Sequence, residues 1–67
     1  MLTTKKILKS IGNEHLDLQR GRGYFYFVFD DGVRFETRSV MTNSLSALPL
    51  SMWLFEARAL LNEMEES

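Results

Sequence analysis

Hydrophobic and polar positions alternate most strictly between residues 15 and 40, and the period is two. In His15-Leu16-Asp17-Leu18-Gln19 the two leucines share one side and the polar residues the other, the pattern of a half-buried strand over 15–19. Tyr24-Phe25-Tyr26-Phe27-Val28-Phe29 alternates phenyl rings with phenols and a valine, so a strand over 24–29 is apolar on both faces. A third run, 33–40, alternates Val33, Phe35 and Thr37 with Arg34, Glu36 and Arg38. Arg20-Gly21-Arg22-Gly23 and Asp30-Asp31-Gly32 separate the three, and their glycines supply the positive φ that tight hairpins need. A three-stranded antiparallel meander is therefore predicted.

On either side the period changes to that of a helix. Thr3-Thr4-Lys5-Lys6-Ile7-Leu8 opens a short helix over 3–11, with Thr3 or Thr4 as cap, Ile7, Leu8 and Ile11 as apolar edge, and Gly12-Asn13 as stop. Eight or so residues make a marginal helix in isolation, so this one forms only if that edge docks. After a connection over 41–48 with a helical turn near Leu45, Pro49 opens the longest helix, over 49–65. Leu50, Trp53, Leu54, Ala57, Leu60, Leu61 and Met64 make its main stripe. Met52, Phe55 and Ala59 form a second apolar flank, which either lies under the N-terminal helix or is presented to another molecule.

The register of the second hairpin decides which aromatic face is buried. A loop of only Asp31-Gly32 sets Phe29 against Arg34, Phe27 against Glu36 and Phe25 against Arg38. A three-residue loop, Asp30-Asp31-Gly32, sets Phe29 against Val33, Phe27 against Phe35 and Phe25 against Thr37. A slip of one residue turns every side chain to the other face. Each buried phenylalanine contributes about 1.5–3 kcal/mol, which favours the three-residue loop. The expected core is then Phe25, Phe27, Phe29, Val33, Phe35, Leu50, Trp53, Leu54, Ala57 and Leu61, with Trp53 over Phe27 and Phe35. Tyr24, Tyr26, Val28, Arg34, Glu36 and Arg38 are expected on the outer face.

The expected architecture is α+β: a short N-terminal helix, the three-stranded meander and a C-terminal helix packed on one sheet face. Length and composition fit one small domain, 1–67. A chain of 67 residues buries only about 60% of the surface its unfolded form exposes, so its stability depends on an apolar content of 45%. With no cysteine there is neither a disulfide nor a thiolate zinc site, and the single His15 excludes a multi-histidine metal site. No cofactor or metal is expected. Nothing in the chain has the length of a membrane span or the pattern of a signal peptide. The net charge of −1 directs the chain to neither nucleic acid nor membrane, although Lys5, Lys6 and Lys9 make the start basic and Glu63, Glu65 and Glu66 the end acidic.

Catalytic constellations are thin. His15 and Asp17 share a strand face, but neighbours of that kind on an exposed strand are ordinarily solvated, and no nucleophile accompanies them. Asp30-Asp31-Gly32 suits a hairpin turn as well as it suits a cation. Gly21-Arg22-Gly23 is too short for a phosphate loop and precedes a strand. The expected function is therefore non-enzymatic.

Binding is better represented. Tyr24, Tyr26, Arg34 and Arg38 on an open sheet match the residues enriched at protein interfaces, and Met52 and Phe55 offer a second partner surface. The same phenols and guanidinium groups could stack on unpaired bases, although Glu36 sits among them. Cross-strand pairing with no partner, or a structural homodimer, are the further alternatives.

Gly23-Tyr24, Tyr26-Phe27, Glu36-Thr37, Ser39-Val40, Leu45, Leu48, Leu50 and Trp53 give the chain a resemblance to small uncharacterised proteins encoded by tailed bacteriophages and prophages. Those combine a Gly-Tyr-x-Tyr-Phe strand, a hairpin ending in Thr-x-Ser-Val and a Leu-x-x-Trp helix. The resemblance spans roughly residues 22–62. Pro49 replaces the usual Ser or Thr cap, and Met41-Thr42-Asn43 replaces a more regular strand extension. It implies a cytoplasmic protein of a bacterial host that binds a host factor or another phage component.

Overall fold

A computed structural model describes residues 1–66; Ser67, the last residue of the expected 1–67 domain, lies outside the described residues. The element order is helix α1 (Thr4–Ile11), strands β1 (Leu16–Arg20), β2 (Phe25–Asp30) and β3 (Phe35–Val40), a 3₁₀ turn at Leu45–Ala47, and helix α2 (Leu50–Glu66). The strands form one antiparallel sheet in the order β1-β2-β3. This is the α+β fold expected from the alternation of periods.

Local chemistry sets the ends of α1. The Thr3 side chain accepts a hydrogen bond from the Lys6 N–H (3.2 Å), and Gly12, at φ 77°, donates its N–H to the Leu8 carbonyl (3.0 Å). Ile7 is fully buried, and Leu8 and Ile11 pack at the core margin, so the docking that so short a helix requires is present. Pro49 immediately precedes α2, and its carbonyl accepts from the Met52 and Trp53 N–H groups.

The core lies between one face of the sheet and the two helices. It comprises Ile7 from α1, Leu16 and Leu18 from β1, Phe25, Phe27 and Phe29 from β2, Val40 from β3, and Trp53, Ala57, Leu60 and Met64 from α2. Trp53 is its centre. Its indole meets the rings of Phe25 (5.6 Å, 84°) and Phe27 (6.3 Å, 68°) edge to face, and its Nε1–H donates to the Leu45 carbonyl at 3.0 Å. The 3₁₀ turn thus serves to satisfy the one polar atom of a fully buried tryptophan.

The expected core changes at five residues, Val33, Phe35, Leu50, Leu54 and Leu61. Val33 and Phe35 are 90% and 65% exposed, and Trp53 accordingly packs on Phe25 and Phe27 rather than on Phe35. On α2 the buried line runs through Trp53, Ala57, Leu60 and Met64. Leu50, the first residue of the helix, is 37% exposed, while Leu54 and Leu61 on the adjoining side are half-buried. The buried stripe is narrower by one helical row than the period of apolar residues predicts.

Among the described residues no helix is long and apolar enough to cross a membrane, and no cluster of three or more metal-ligating side chains occurs.

Candidate protein-binding surfaces

The surfaces follow from how the second hairpin closes. β2 and β3 pair as Phe25↔Val40, Tyr26↔Ser39, Phe27↔Arg38, Val28↔Thr37, Phe29↔Glu36 and Asp30↔Phe35. Four residues, Asp31 to Arg34, therefore separate the strands, and the Asp31 N–H donates to the Arg34 carbonyl. Gly32 at the tip has φ 87°. The Asp31 carboxylate accepts from the N–H groups of Val33 (2.9 Å) and Arg34 (2.8 Å), and the Asp30 carboxylate accepts from that of Gly32 (3.0 Å). Two adjacent aspartates thus satisfy the loop's own backbone. The Arg34 and Val33 N–H groups hold the Asp31 carboxyl below its ordinary value.

This pairing corrects the expected register. Phe25, Phe27 and Phe29 do face the core, but β3 presents Glu36, Arg38 and Val40 to the helix side and Phe35, Thr37 and Ser39 to the outside. The physical reason lies on α2. Glu56 and Glu63 border the strip of α2 above β3, and Arg38 answers them: its Nε–H donates to Glu56 at 2.7 Å and its Nη1 to Glu63 at 3.1 Å. The Glu56 hydrogen bond raises the Arg38 guanidinium above its already high value. Arg34 likewise turns to the helix and donates to the Met64 carbonyl near the end of α2. β1 already fills the core beside β2, pairing Leu18 with Phe27 and Leu16 with Phe29. Salt bridges, turn capping and the burial of Val40 together offset the exposure of Phe35.

The six candidate binding residues consequently divide. Tyr24 and Tyr26 stay together on the outer sheet face, ring centroids 5.9 Å apart. Tyr24 lies over Gly21, whose φ is not positive, so closely that a side chain at that turn position would have to displace the Tyr24 ring. Arg34 and Arg38 leave this face for the helix side, so the four-residue Tyr/Arg patch does not form. Met52 (42% exposed) and Phe55 (62%) remain on the surface of α2, and α1 does not cover them. Arg38 of β3 is the cation that stands beside Glu56 and Glu63.

Phe35, Thr37 and Ser39 take the place of the arginines, and Phe35 is the apolar one of the three. On the outer face Val28 follows Tyr26 along β2, Thr37 stands opposite Val28, and Phe35 lies diagonally next to it. Tyr24, Tyr26, Val28 and Phe35 form a continuous strip bordered by Asp17 and Gln19 of β1, Asp30 of β2 and Ser39 of β3. Only the capping demand of Asp31 could have revealed Phe35 from the sequence.

His15 and Asp17 do not pair. The His15 ring stands edge-on to Phe29 with its Nε2 3.5 Å from Glu14, while Asp17 accepts from the Leu18 N–H and the Gln19 amide. Two shallow clefts flank Arg34, one lined by Phe35, Glu36, Leu60 and Glu63, the other by Asn13, Phe29, Asp31 and Leu61. Neither brings a nucleophile and a base together.

No family model, no curated protein and no solved structure matches the chain.

Proposed function

We propose that the protein is a non-enzymatic binding module that engages another protein through the outer face of its sheet. One observation supports this reading above the others: Phe35 stands 65% exposed beside Val28 and the Tyr24–Tyr26 pair on a face that no helix covers. Burying such a ring is worth about 1.5–3 kcal/mol, and aromatic anchors of this kind dominate interface energetics. The likeness to phage and prophage proteins makes a host or phage protein in a bacterial cytoplasm the partner of choice. The strip itself carries phenols, a phenyl and carboxylates but none of the arginines that base stacking and phosphate contact call for, which favours a protein partner over nucleic acid.

The test is retention of bacterial and phage-infected lysate proteins on immobilised chain, with Tyr26→Ala/Phe35→Ser as control. A partner held by the wild type and lost by a double variant of unchanged circular dichroism is the expected result. Equal recovery of every specific partner contradicts the proposal. Salt-sensitive binding of a mixed-sequence oligonucleotide would replace it with the nucleic-acid reading.

A further inference from the structure

β3 is an edge strand, and its free side is unusually well suited to a second copy of itself. The Asp31–Arg34 hydrogen bond at the loop fixes which residues of β3 bond to β2: in an antiparallel ladder the bonded pairs then recur at Phe29↔Glu36, Phe27↔Arg38 and Phe25↔Val40. The N–H and C=O groups of Phe35, Thr37 and Ser39 therefore point away from the sheet. Natural edge strands are ordinarily blunted by charged side chains, lysine and inward-pointing charges above all, or by proline, a bulge or a covering element. The two charges on β3, Glu36 and Arg38, are of opposite sign and so match a second antiparallel copy rather than repel it. Phe35-Glu36-Thr37-Arg38-Ser39-Val40 contains no lysine or proline, has no positive-φ residue and pairs with β2 without interruption.

We infer that two copies join through β3 about a two-fold axis at Thr37, making one continuous antiparallel sheet. Only odd-numbered residues can sit at a hydrogen-bonded dyad here, and the choice among them follows from side chains. With Thr37 on the axis, Thr37 bonds Thr37 of the other copy and Phe35 bonds Ser39. The closer, non-bonded positions then set Glu36 opposite Arg38 twice, and the exposed Val33 comes alongside the exposed Met41 at each end. A dyad at Phe35 runs the ladder into the hairpin loop. Dyads at Glu36 or Arg38 oppose like charges.

The charges are available for this. Glu36 is exposed and has no ion-pair partner among the described residues. Arg38 uses Nε and Nη1 for Glu56 and Glu63, leaving the two hydrogens of Nη2 for Glu36 of the second copy. The main-chain ladder supplies the affinity, while the charge pattern selects the register. Met52 and Ala59 lie one turn before and after Glu56 on the β3 side of α2, so this assembly also turns that exposed flank of the helix towards its counterpart. The outer aromatic face stays open on the same side of both copies, so loss of the dimer leaves the proposed partner surface intact.

The test combines sedimentation equilibrium with amide hydrogen exchange followed by NMR, on wild type, Glu36→Arg and Thr37→Pro. Glu36→Arg sets two arginines opposite each other, and Thr37→Pro removes an N–H that β2 does not use. The wild type is expected to have the mass of two chains at high micromolar concentration, with the Phe35, Thr37 and Ser39 amides protected and becoming exchangeable on dilution. Both variants are expected to have the mass of one chain with unchanged circular dichroism. A one-chain wild type whose three amides exchange freely at the highest concentration overturns the inference. So does a dimer in which these amides stay unprotected, since its interface lies elsewhere. The exchange result on the wild type decides the matter even if a variant fails to fold.

Discussion

Asp31 shows how much one side chain can decide. Its carboxylate accepts two backbone N–H groups of the loop it begins, and those donors hold it below the ordinary value of 3.8. A depressed folded-state pKa contributes stability that is complete above the unfolded value and is lost as pH falls through the folded one. Urea midpoints measured from about pH 6 to about pH 2 should therefore decline in acid, and Asp31→Asn, which keeps an acceptor but no charge, should flatten that part of the decline. An identical pH profile for the two proteins would mean that Asp31 does not cap the loop. Trp53 is the corresponding residue of the interior, and its indole N–H explains why a connection without strand or long helix still ends in a defined 3₁₀ turn.

At the scale of elements, β3 is the instructive one. The parity of β1 was legible because only one of its faces is apolar, and that of β2 because its phenylalanines lack the polar tips of the phenols opposite. On α2 the period gave Trp53 and Ala57, whereas Leu60 and Met64 take the buried places expected of Leu50, Leu54 and Leu61. The parity of β3 was not legible. Area burial favoured Val33 and Phe35 inside, whereas capping by Asp30 and Asp31 and the carboxylates Glu56 and Glu63 on a helix far along the chain favoured Arg38 and Val40 inside. Local pattern carries no record of a partner on another element, so the candidate Tyr/Arg surface was half right: its phenols are outside, its arginines are not. The consequence is measurable as stability. Phe27→Ala should cost about 3–5 kcal/mol, enough to unfold a domain of this size, because it empties a fully buried site against Trp53. Phe35→Thr should change stability by no more than about 0.5 kcal/mol, since the ring is already in water and threonine suits a strand. Comparable losses for the two in urea titrations would place Phe35 in the core.

The molecule as a whole is a small sheet with one face committed to its own helices and the other uncommitted. Two helices and a tryptophan stabilise the committed face; the uncommitted one keeps Tyr24, Tyr26, Val28 and Phe35, and the β3 edge beside it keeps a row of unused main-chain groups. Both proposals, a protein partner on the face and a second copy on the edge, depend on that division of the sheet. A single NOESY spectrum of the intact chain tests the division most directly. It should show Trp53 indole contacts to the Phe25 and Phe27 rings and none to Phe35, together with Hα–Hα contacts between Val28 and Thr37 and between Tyr26 and Ser39. Trp53 contacts to the Phe35 ring, with Phe27 and Phe35 paired across the strands, would contradict it.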